Sequence, residues 1–217
     1  MEIKSIGSCN FCGNKFSSNV ISRHLKSCKK REELYSNESK EERTLLIKAW
    51  NDPFWVYFEI KETSTLRDVD NFLRDLWLEC CGHLSMFTIN GTNFASDPDQ
   101  DYHDNDMNVQ LKKIFEINLS FTHEYDFGTT TQLNLKCISE REGELKEKIS
   151  ILARNDLPEI LCEYCTKIAK EICTECSWEG KGFLCEKCAK NHTCDEEMFL
   201  PIVNSPRMGM CGYTGED

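Results

Sequence analysis

The sequence predicts an α+β fold, in which a central sheet-and-helix domain lies between two small cysteine-rich modules. Three observations support this prediction. Apolar residues alternate over several short segments in the middle of the chain, which is the period of a β-strand, and one segment there has the helical period. Ten of the 14 cysteines lie near the two ends of the chain. Residues 32–43 are mostly charged or polar, which is typical of a linker.

These changes in composition divide the 217 residues into five parts. We expect a first module at 1–31, a charged linker at 32–43, the central domain at 44–158, a cysteine-rich module at 159–200 and an irregular tail at 201–217. No apolar run approaches the roughly 18 residues of a membrane helix, and the N-terminus lacks the apolar segment of a secretory signal. We therefore expect a soluble, cytoplasmic protein without a membrane partner, whose clustered cysteines bind metal.

The central domain begins with two predicted strands. Residues 44–50 are mostly apolar, and in residues 54–60 every second side chain, from Phe54 to Ile60, builds one apolar face. Asp52-Pro53 predicts the turn between the two strands.

A helix is predicted next. Thr65 and Asp68 have the spacing of a capping box, and apolar residues follow at helical spacing as far as Cys80. We expect this helix to end at Gly82, because glycine favours the left-handed backbone that terminates helices. Cys80 continues the apolar stripe, so Cys80 and Cys81 are interpreted as buried thiols.

The rest of the central domain is predicted to be mainly strands. Residues 83–89 form one strand that ends at an Asn-Gly turn, and a solvated acidic loop, including 97–106, follows. A short helix is expected at 111–115. Two strands then run from Leu119 to Phe127 and over residues 133–137, and His123 on the apolar face of the first is interpreted as a core histidine.

The N-terminal module has the ligand spacing of a zinc finger. A Cys-x2-Cys pair is followed by a histidine and a cysteine four positions apart, which share one face of a helix. Phe16 and Ile21 lie between the pairs, where a finger keeps its small apolar core. The candidate ligands are Cys9, Cys12, His24 and Cys28. The module resembles the two-cysteine, two-histidine zinc-finger family, in the variant whose last ligand is cysteine, with one residue fewer between the pairs.

The first 31 residues are basic, whereas the whole chain has a net charge of -11. They contain seven lysines and arginines against one acidic residue. A basic finger on an acidic body predicts contact with the phosphates of DNA or RNA, with Ser17, Asn19 and Arg23 as contact residues. Protein contact and a purely structural finger are the alternatives.

The C-terminal module contains eight candidate ligands in four pairs. Cys-x2-Cys occurs three times in succession, which is improbable by chance, and the last pair is a histidine and a cysteine one residue apart. Eight ligands suit two four-coordinate zinc ions. We expect pairs one and three to bind one ion and pairs two and four the other; a sequential arrangement is also open, as is a spare residue in the last pair. The residues are Cys162, Cys165, Cys173, Cys176, Cys185, Cys188, His192 and Cys194.

This spacing resembles the B-box and related cross-brace zinc families, which implies a surface that contacts a protein partner. With the finger, the ligand count predicts about three zinc ions. An iron–sulfur cluster or disulfides are the alternatives for these cysteines. Four protein ligands leave no open position on the ion, so we expect structural rather than catalytic zinc. Cys211, in the tail, is a candidate replacement ligand.

Three motifs of the central domain occur in a recognisable order. They are Thr65-Leu66 at the start of the helix, His83-Leu84-x2-Phe87, and Tyr125-Asp126-Phe127-Gly128. Through them residues 44–155 resemble the plasmid ORF-three-like family, whose members are also described as TnpR-like passenger proteins of an insertion element. The resemblance implies a compact α+β domain and carries no activity with it.

Together these features predict a non-enzymatic, zinc-binding adaptor or regulator that contacts nucleic acid through its first module and protein through its last. Two other functions are open: a module for protein interaction only, and an enzyme with a site near His83, Tyr125 and Asp126. The sequence contains neither a phosphate-cradling loop nor Gly-x-Ser-x-Gly.

Overall fold

The computed structural model describes residues 5–35, 42–99 and 104–215. It has the predicted α+β fold, with ten strands in one sheet, three strands in a second sheet and short helices around them. The strands of the large sheet are β1 (Ile6–Cys9), β2 (Lys15–Ser17), β3 (Arg43–Asn51), β4 (Phe54–Lys61), β5 (Ser85–Ile89), β6 (Thr92–Ala95), β7 (Asn105–Asp106), β8 (Ser120–Tyr125), β9 (Thr131–Glu142) and β10 (Ile149–Asn155).

The helices are short, and the small sheet belongs to the C-terminal module. The helices are α1 (Ser18–Ser27), α2 (Lys29–Tyr35), α3 (Leu66–Leu73), α4 (Thr174–Ser177) and α5 (Glu186–Ala189). The small sheet consists of β11 (Glu171–Cys173), β12 (Phe183–Leu184) and β13 (Phe199–Pro201) in the order β12-β11-β13. A π-helical turn (Arg74–Leu78) and two 3-10 turns (Leu111–Lys113 and Glu196–Met198) complete the described elements.

The N-terminal module is continuous with the central sheet. The strand order is β2-β1-β10-β4-β3-β9-β8-β5-β6-β7, and all neighbours are antiparallel except β6 and β7. Strand β1 pairs with β10, with Gly7 opposite Asn155. A Cβ atom at Gly7 would overlap the carbonyl oxygen of Arg154, so only glycine allows this close pairing. Of the expected linker, residues up to Tyr35 are helical, residues 36–41 lie outside the described part, and β3 begins at Arg43.

Strand β4 is buried on both faces, although its alternation predicted only one apolar face. The predicted face, from Phe54 to Ile60, packs against α3 in the main core. On the other face, Trp55 and Tyr57 pack against Ile21 and Leu25 of α1. The first module therefore covers the side of the sheet opposite to α3, and its helix gives β4 a second core.

Helix α3 begins as predicted and ends earlier than predicted. Thr65 accepts a hydrogen bond from the backbone of Asp68, whose carboxylate accepts one from the backbone of Thr65, which is the reciprocal capping box. The helix then widens into the π-helical turn and ends at Leu78. Gly82 has the expected positive φ of 70°, but Cys80 lies in an irregular turn and not in the helix.

The remaining strands follow the sequence pattern with three differences. The Asn-Gly turn has positive φ at both residues, as a tight hairpin requires, but it leads into β6, where only a loop was expected. Strand β10 was not predicted, and a bulge between Ile151 and Ala153 interrupts its alternation. Phe127 is 54% exposed and lies beyond the end of β8. Part of the acidic loop, residues 100–103, lies outside the described residues.

His123 is a core histidine, as expected. Its side chain is fully buried, and its Nε2 lies 2.7 Å from the Oδ1 atom of Asp70. Asp70 also accepts hydrogen bonds from Ser85 and Arg74. These hydrogen-bond partners compensate for the water that the carboxylate loses on burial, and they connect α3 to β5 and β8.

The expected tail begins at Pro201, the last residue of β13, and its described residues 202–215 lack regular structure but dock on the central domain. Asn204 exchanges hydrogen bonds with Asn155 of β10, and Ser205 donates one to the carbonyl of Trp77 at 2.6 Å. The side chain of Arg207 is completely buried and forms an ion pair with Asp126. This guanidinium lowers the pKa of Asp126 to about 2.

A buried carboxylate fastens α2 to the sheet. Glu59 of β4 is 1% exposed and accepts hydrogen bonds from Arg31, from Tyr35 at 2.9 Å and from two nitrogens of Arg141 at 3.0 Å each. The guanidinium of Arg141 also lies over the Tyr35 ring, 3.8 Å from its centroid. Burial raises the pKa of Glu59, but the two arginines outweigh burial and hold this pKa below its ordinary value.

We expect Glu59→Gln to destabilise the protein by about 3 kcal/mol, because it removes the negative charge that two partly buried arginines require. Since the folded-state pKa of Glu59 is lowered, its contribution is present above the unfolded value of about 4.5 and is lost as the pH falls below it. Urea unfolding at neutral and acidic pH measures both effects. Glu140→Gln, at an exposed position that faces Arg43 at 3.7 Å, is the control. An equal loss in both variants at neutral pH would contradict this account.

Candidate metal centres

The structure brings together every ligand that the sequence predicts. They form three groups of four, and within each group the ligand atoms lie within 4.8 Å of one another. The groups are the finger cluster (Cys9, Cys12, His24 and Cys28), the all-cysteine cluster (Cys162, Cys165, Cys185 and Cys188) and the His192 cluster (Cys173, Cys176, His192 and Cys194). All fourteen cysteines are free of disulfides. These clusters could each hold a metal ion.

The finger cluster joins a tight turn to the end of α1. The turn after β1 is closed by a hydrogen bond from the backbone of Gly13 to the carbonyl of Cys9 at 2.8 Å. The Sγ atoms of Cys9 and Cys28 lie 4.0 Å apart, and Cys12 Sγ lies 3.2 Å from His24 Nε2. Phe16 stacks on the imidazole of His24 with a centroid distance of 4.2 Å, which fixes the orientation of the ring.

The two C-terminal clusters are interleaved along the chain. The all-cysteine cluster uses ligand pairs one and three, and the His192 cluster uses pairs two and four, so the grouping is the cross-brace and not the sequential arrangement. Both members of the last pair face Cys176: its Sγ lies 3.3 Å from His192 Nε2 and 3.6 Å from Cys194 Sγ. Neither residue of that pair is spare in this geometry.

The distances suit a tetrahedral ion. With metal–sulfur bonds of about 2.3 Å and metal–nitrogen bonds of about 2.0 Å, two sulfurs lie about 3.8 Å apart and a sulfur and a nitrogen about 3.6 Å apart. Cys165 Sγ lies 3.6 Å from Cys185 Sγ and 3.9 Å from Cys188 Sγ. The observed spacing therefore leaves room for one ion at the centre of each cluster.

Some thiols of the C-terminal clusters resist ionisation in the absence of a cation, whereas others do not. A backbone N–H of Cys188 stabilises the Cys185 thiolate and lowers the pKa of Cys185 to about 7. In contrast, burial and the neighbouring cysteines raise the pKa of Cys188 to about 12. The hydrogen bond with Cys176 raises the pKa of Cys194 to about 12 in the same way. A bound cation would stabilise the thiolate forms against these effects.

The C-terminal module has little apolar core of its own. Its buried cluster contains only Cys173, Leu184 and Ala189, with Phe199 and other cysteines packed partly against it. So small a core cannot offset the entropy of ordering the module, which is the usual reason for a structural metal.

A fourth cluster was not predicted. Cys80, Cys81 and His83, from the turn after α3, meet Cys211 of the tail, and their ligand atoms also lie within 4.8 Å of one another. We call these four residues the tail cluster. Cys81 and Cys211 are exposed, so the interpretation of Cys81 as a buried thiol is wrong, whereas Cys80 is half-buried and packs against the main core. The available sequence signal was that four cysteines and three histidines remained outside the two recognised modules.

No helix among the described residues is long and apolar enough to cross a membrane.

Comparisons with known proteins add little. No family model matches the sequence, and no curated protein matches it. Among solved structures, the chain is similar to the crystal structure of MM3350, a protein of unknown function from Methanosarcina mazei Go1. The identity is 16% and the TM-score 0.43, over 52% of this chain and 67% of that chain. Membership of the ORF-three-like family stays a prediction.

We expect Cys194→Ser and Cys176→Ser each to remove one metal ion per chain, because both side chains belong to the His192 cluster. Native mass spectrometry of protein purified without added metal measures the loss. Cys137→Ala, at the one cysteine that belongs to no cluster, should keep the full number of ions. If Cys194→Ser keeps the wild-type number of ions, Cys194 is not a ligand.

Proposed function

We propose that the protein is a non-enzymatic, zinc-dependent adaptor or regulator that contacts nucleic acid through its N-terminal module and protein through its C-terminal module. The observation that carries this proposal is the exposed basic outer surface of a finger whose inner surface is fixed to the sheet. The metal clusters serve this function indirectly, because they hold the two modules in shape.

Zinc is the metal that best fits the ligands. Three or four thiolates with at most one imidazole in a tetrahedral arrangement are typical of structural zinc. Iron–sulfur clusters are usually ligated by cysteine alone. The finger cluster and the His192 cluster each contain a histidine, which argues against an iron–sulfur cluster at these two sites. Four protein ligands also fill the coordination sphere, so no position remains for a substrate or an activated water. This supports a function without catalysis at the ions.

The six basic residues of the first module that the structure describes divide into two groups, and Lys4 lies outside the described residues. Lys15 pairs with Asp156 at 2.6 Å and Arg31 pairs with buried Glu59, so these two charges anchor the module. Four others are exposed on α1 and α2 or at their junction, and they are Arg23, Lys26, Lys29 and Lys30. Ser17 and Asn19, at the start of α1, are exposed as well. A phosphate backbone that approaches α1 from outside would meet these side chains without disturbing the anchored surface.

We expect the chain to bind nucleic acid with a strong salt dependence, and neutralisation of the four exposed basic residues to weaken the binding. In a variant with Arg23, Lys26, Lys29 and Lys30 changed to glutamine, the slope of log affinity against log salt should decrease by about 0.9 for each contact with duplex DNA that is lost. Fluorescence anisotropy with a mixed-sequence duplex and a single-stranded RNA of the same length measures the slope and separates DNA from RNA.

A variant with the same change in charge controls for a general effect of net charge. Lys112, Lys113, Lys167 and Lys190 are exposed and lie outside the first module. Their replacement by glutamine should leave the slope close to that of the wild type. If the wild type fails to bind either probe at low salt, or if both variants weaken binding equally, the finger is not a nucleic-acid contact.

The C-terminal module supports protein contact through exposed apolar side chains. Trp178, beside α4, is 78% exposed. Tyr164, within the first ligand pair, is 54% exposed, and Ile168, between the first and second pairs, is 45% exposed. Large apolar side chains at the surface of a module with so small a core lower its solubility unless another surface covers them. Aromatic residues are also enriched among the anchors of protein interfaces.

A further inference from the structure

We propose that the tail cluster is a fourth metal site, which takes a thiophilic divalent cation of the zinc class and fastens the tail to the central domain. This proposal goes beyond the function given above and does not depend on nucleic-acid binding. Three thiolates and one imidazole form the same donor set as in the finger cluster and the His192 cluster.

The turn that carries three of the ligands is held in place by neighbouring side chains. The carboxylate of Glu79 accepts hydrogen bonds from the backbone of Gly82 at 2.6 Å and from the hydroxyl of Tyr125 at 3.1 Å. The same hydroxyl accepts weaker hydrogen bonds from the backbones of Cys80 and His83, at 3.4 and 3.3 Å. The ligand turn is therefore fixed by the protein itself, as metal sites require.

The tail supplies the fourth ligand, Cys211, and the contacts of Arg207 hold the tail in place. Arg207 donates a hydrogen bond to the carbonyl of Thr129 at 2.6 Å and pairs with Asp126, which places the following residues beside the ligand turn. Cys211 has a φ of 48°, between Gly209 at 79° and Gly212 at 69°. Positive φ is uncommon for a residue with a side chain, and such an outlier is a reason to look for a function. Here it directs a thiol towards the cluster.

The distances match those of the predicted clusters. Cys211 Sγ lies 3.8 Å from Cys81 Sγ and 3.3 Å from His83 Nε2. The corresponding distances in the other three clusters are 3.6–4.0 Å between sulfurs and 3.2–3.3 Å between sulfur and nitrogen. The four residues thus leave the same central space for an ion.

Two further side chains contact the candidate ligands from behind, as the residues that surround the ligands of a metal site do. The Nδ1 atom of His83 faces Asp126 Oδ1 at 3.7 Å, so Nε2 is the nitrogen directed at the cluster. A carboxylate behind the second ring nitrogen is a common partner of metal-binding histidines. The guanidinium of Arg207 lies 3.6 Å from Cys80 Sγ, so a cationic hydrogen-bond donor faces this sulfur.

The tail cluster differs from the others in its exposure. None of its four ligands is buried, whereas each of the other clusters has at least one buried ligand. A chelator therefore reaches an ion here more easily, and this ion should be released first.

Cadmium NMR of the fully loaded chain tests the proposal, because the chemical shift of cadmium reports the number of bound thiolates. The wild type should give four resonances, one from the all-cysteine cluster and three from sites with three thiolates and one imidazole. Cys211→Ser and Cys81→Ser, both at exposed positions, should each remove or shift one resonance of the second kind and leave the other three in place. These remaining resonances show that the variants fold.

Zinc stoichiometry by native mass spectrometry provides an independent readout. The wild type should carry four ions, both variants three, and Cys137→Ala four. Under stepwise chelation, the first ion lost by the wild type should be the one that the variants lack. The proposal is overturned if the saturated wild type carries three ions, or if both serine variants keep all four resonances unshifted.

Discussion

Thirteen of the fourteen cysteines are crowded into four groups whose ligand atoms lie within 4.8 Å of one another, and the arrangement of both terminal modules and of the tail depends on relief of this crowding. Thiolates at such distances repel one another. Neutral thiols would not repel, but without a metal ion they would give a small module too few stabilising contacts. A cation bound at the centre of each group would offset the repulsion between thiolates and would add the missing stabilising contacts. The finger cluster joins the turn after β1 to α1, the two interleaved clusters join both halves of the C-terminal module, and the tail cluster joins residues more than a hundred positions apart. If an ion binds at one of these centres, its loss would separate distant segments rather than loosen one local site.

Because β1 belongs to the large sheet, the metal state of the finger is coupled to the central domain. The helix that carries His24 also supplies Ile21 and Leu25, which cover Trp55 and Tyr57 of β4. An isolated finger of this size would depend almost entirely on its ion for folding. Here it gains the apolar contacts of the sheet, and the sheet gains a cover for its second face. Stability of the two parts is therefore shared, and a change in either affects the other.

The sequence predicts well whatever is local. Three predicted features each depend on a few neighbouring residues, and the structure reproduces their positions. They are the cysteine pairs separated by two residues, the capping box at Thr65 and the Asn-Gly turn. The misses depend on contacts between distant segments. No local spacing connects Cys211 with His83, which are 128 positions apart. The second buried face of β4 was hidden because Trp55, Tyr57 and Glu59 can be read as the exposed side of an amphipathic strand, and only the finger shows that they are covered.

The anchoring of the finger constrains how it could recognise nucleic acid. Lys15 and Arg31 pair with Asp156 and Glu59, so the charges that a phosphate backbone would meet are the exposed basic residues of α1, α2 and their junction. A rigidly held helix loses little entropy when it binds, which favours affinity. One short helix, however, reaches few base edges, and finger proteins that read sequence place several fingers along the groove. Binding by this chain would therefore be largely electrostatic, and selection of a sequence would require a second contact. In the function proposed above, a partner protein held by the C-terminal module would provide that contact, which would link the two surfaces in one function.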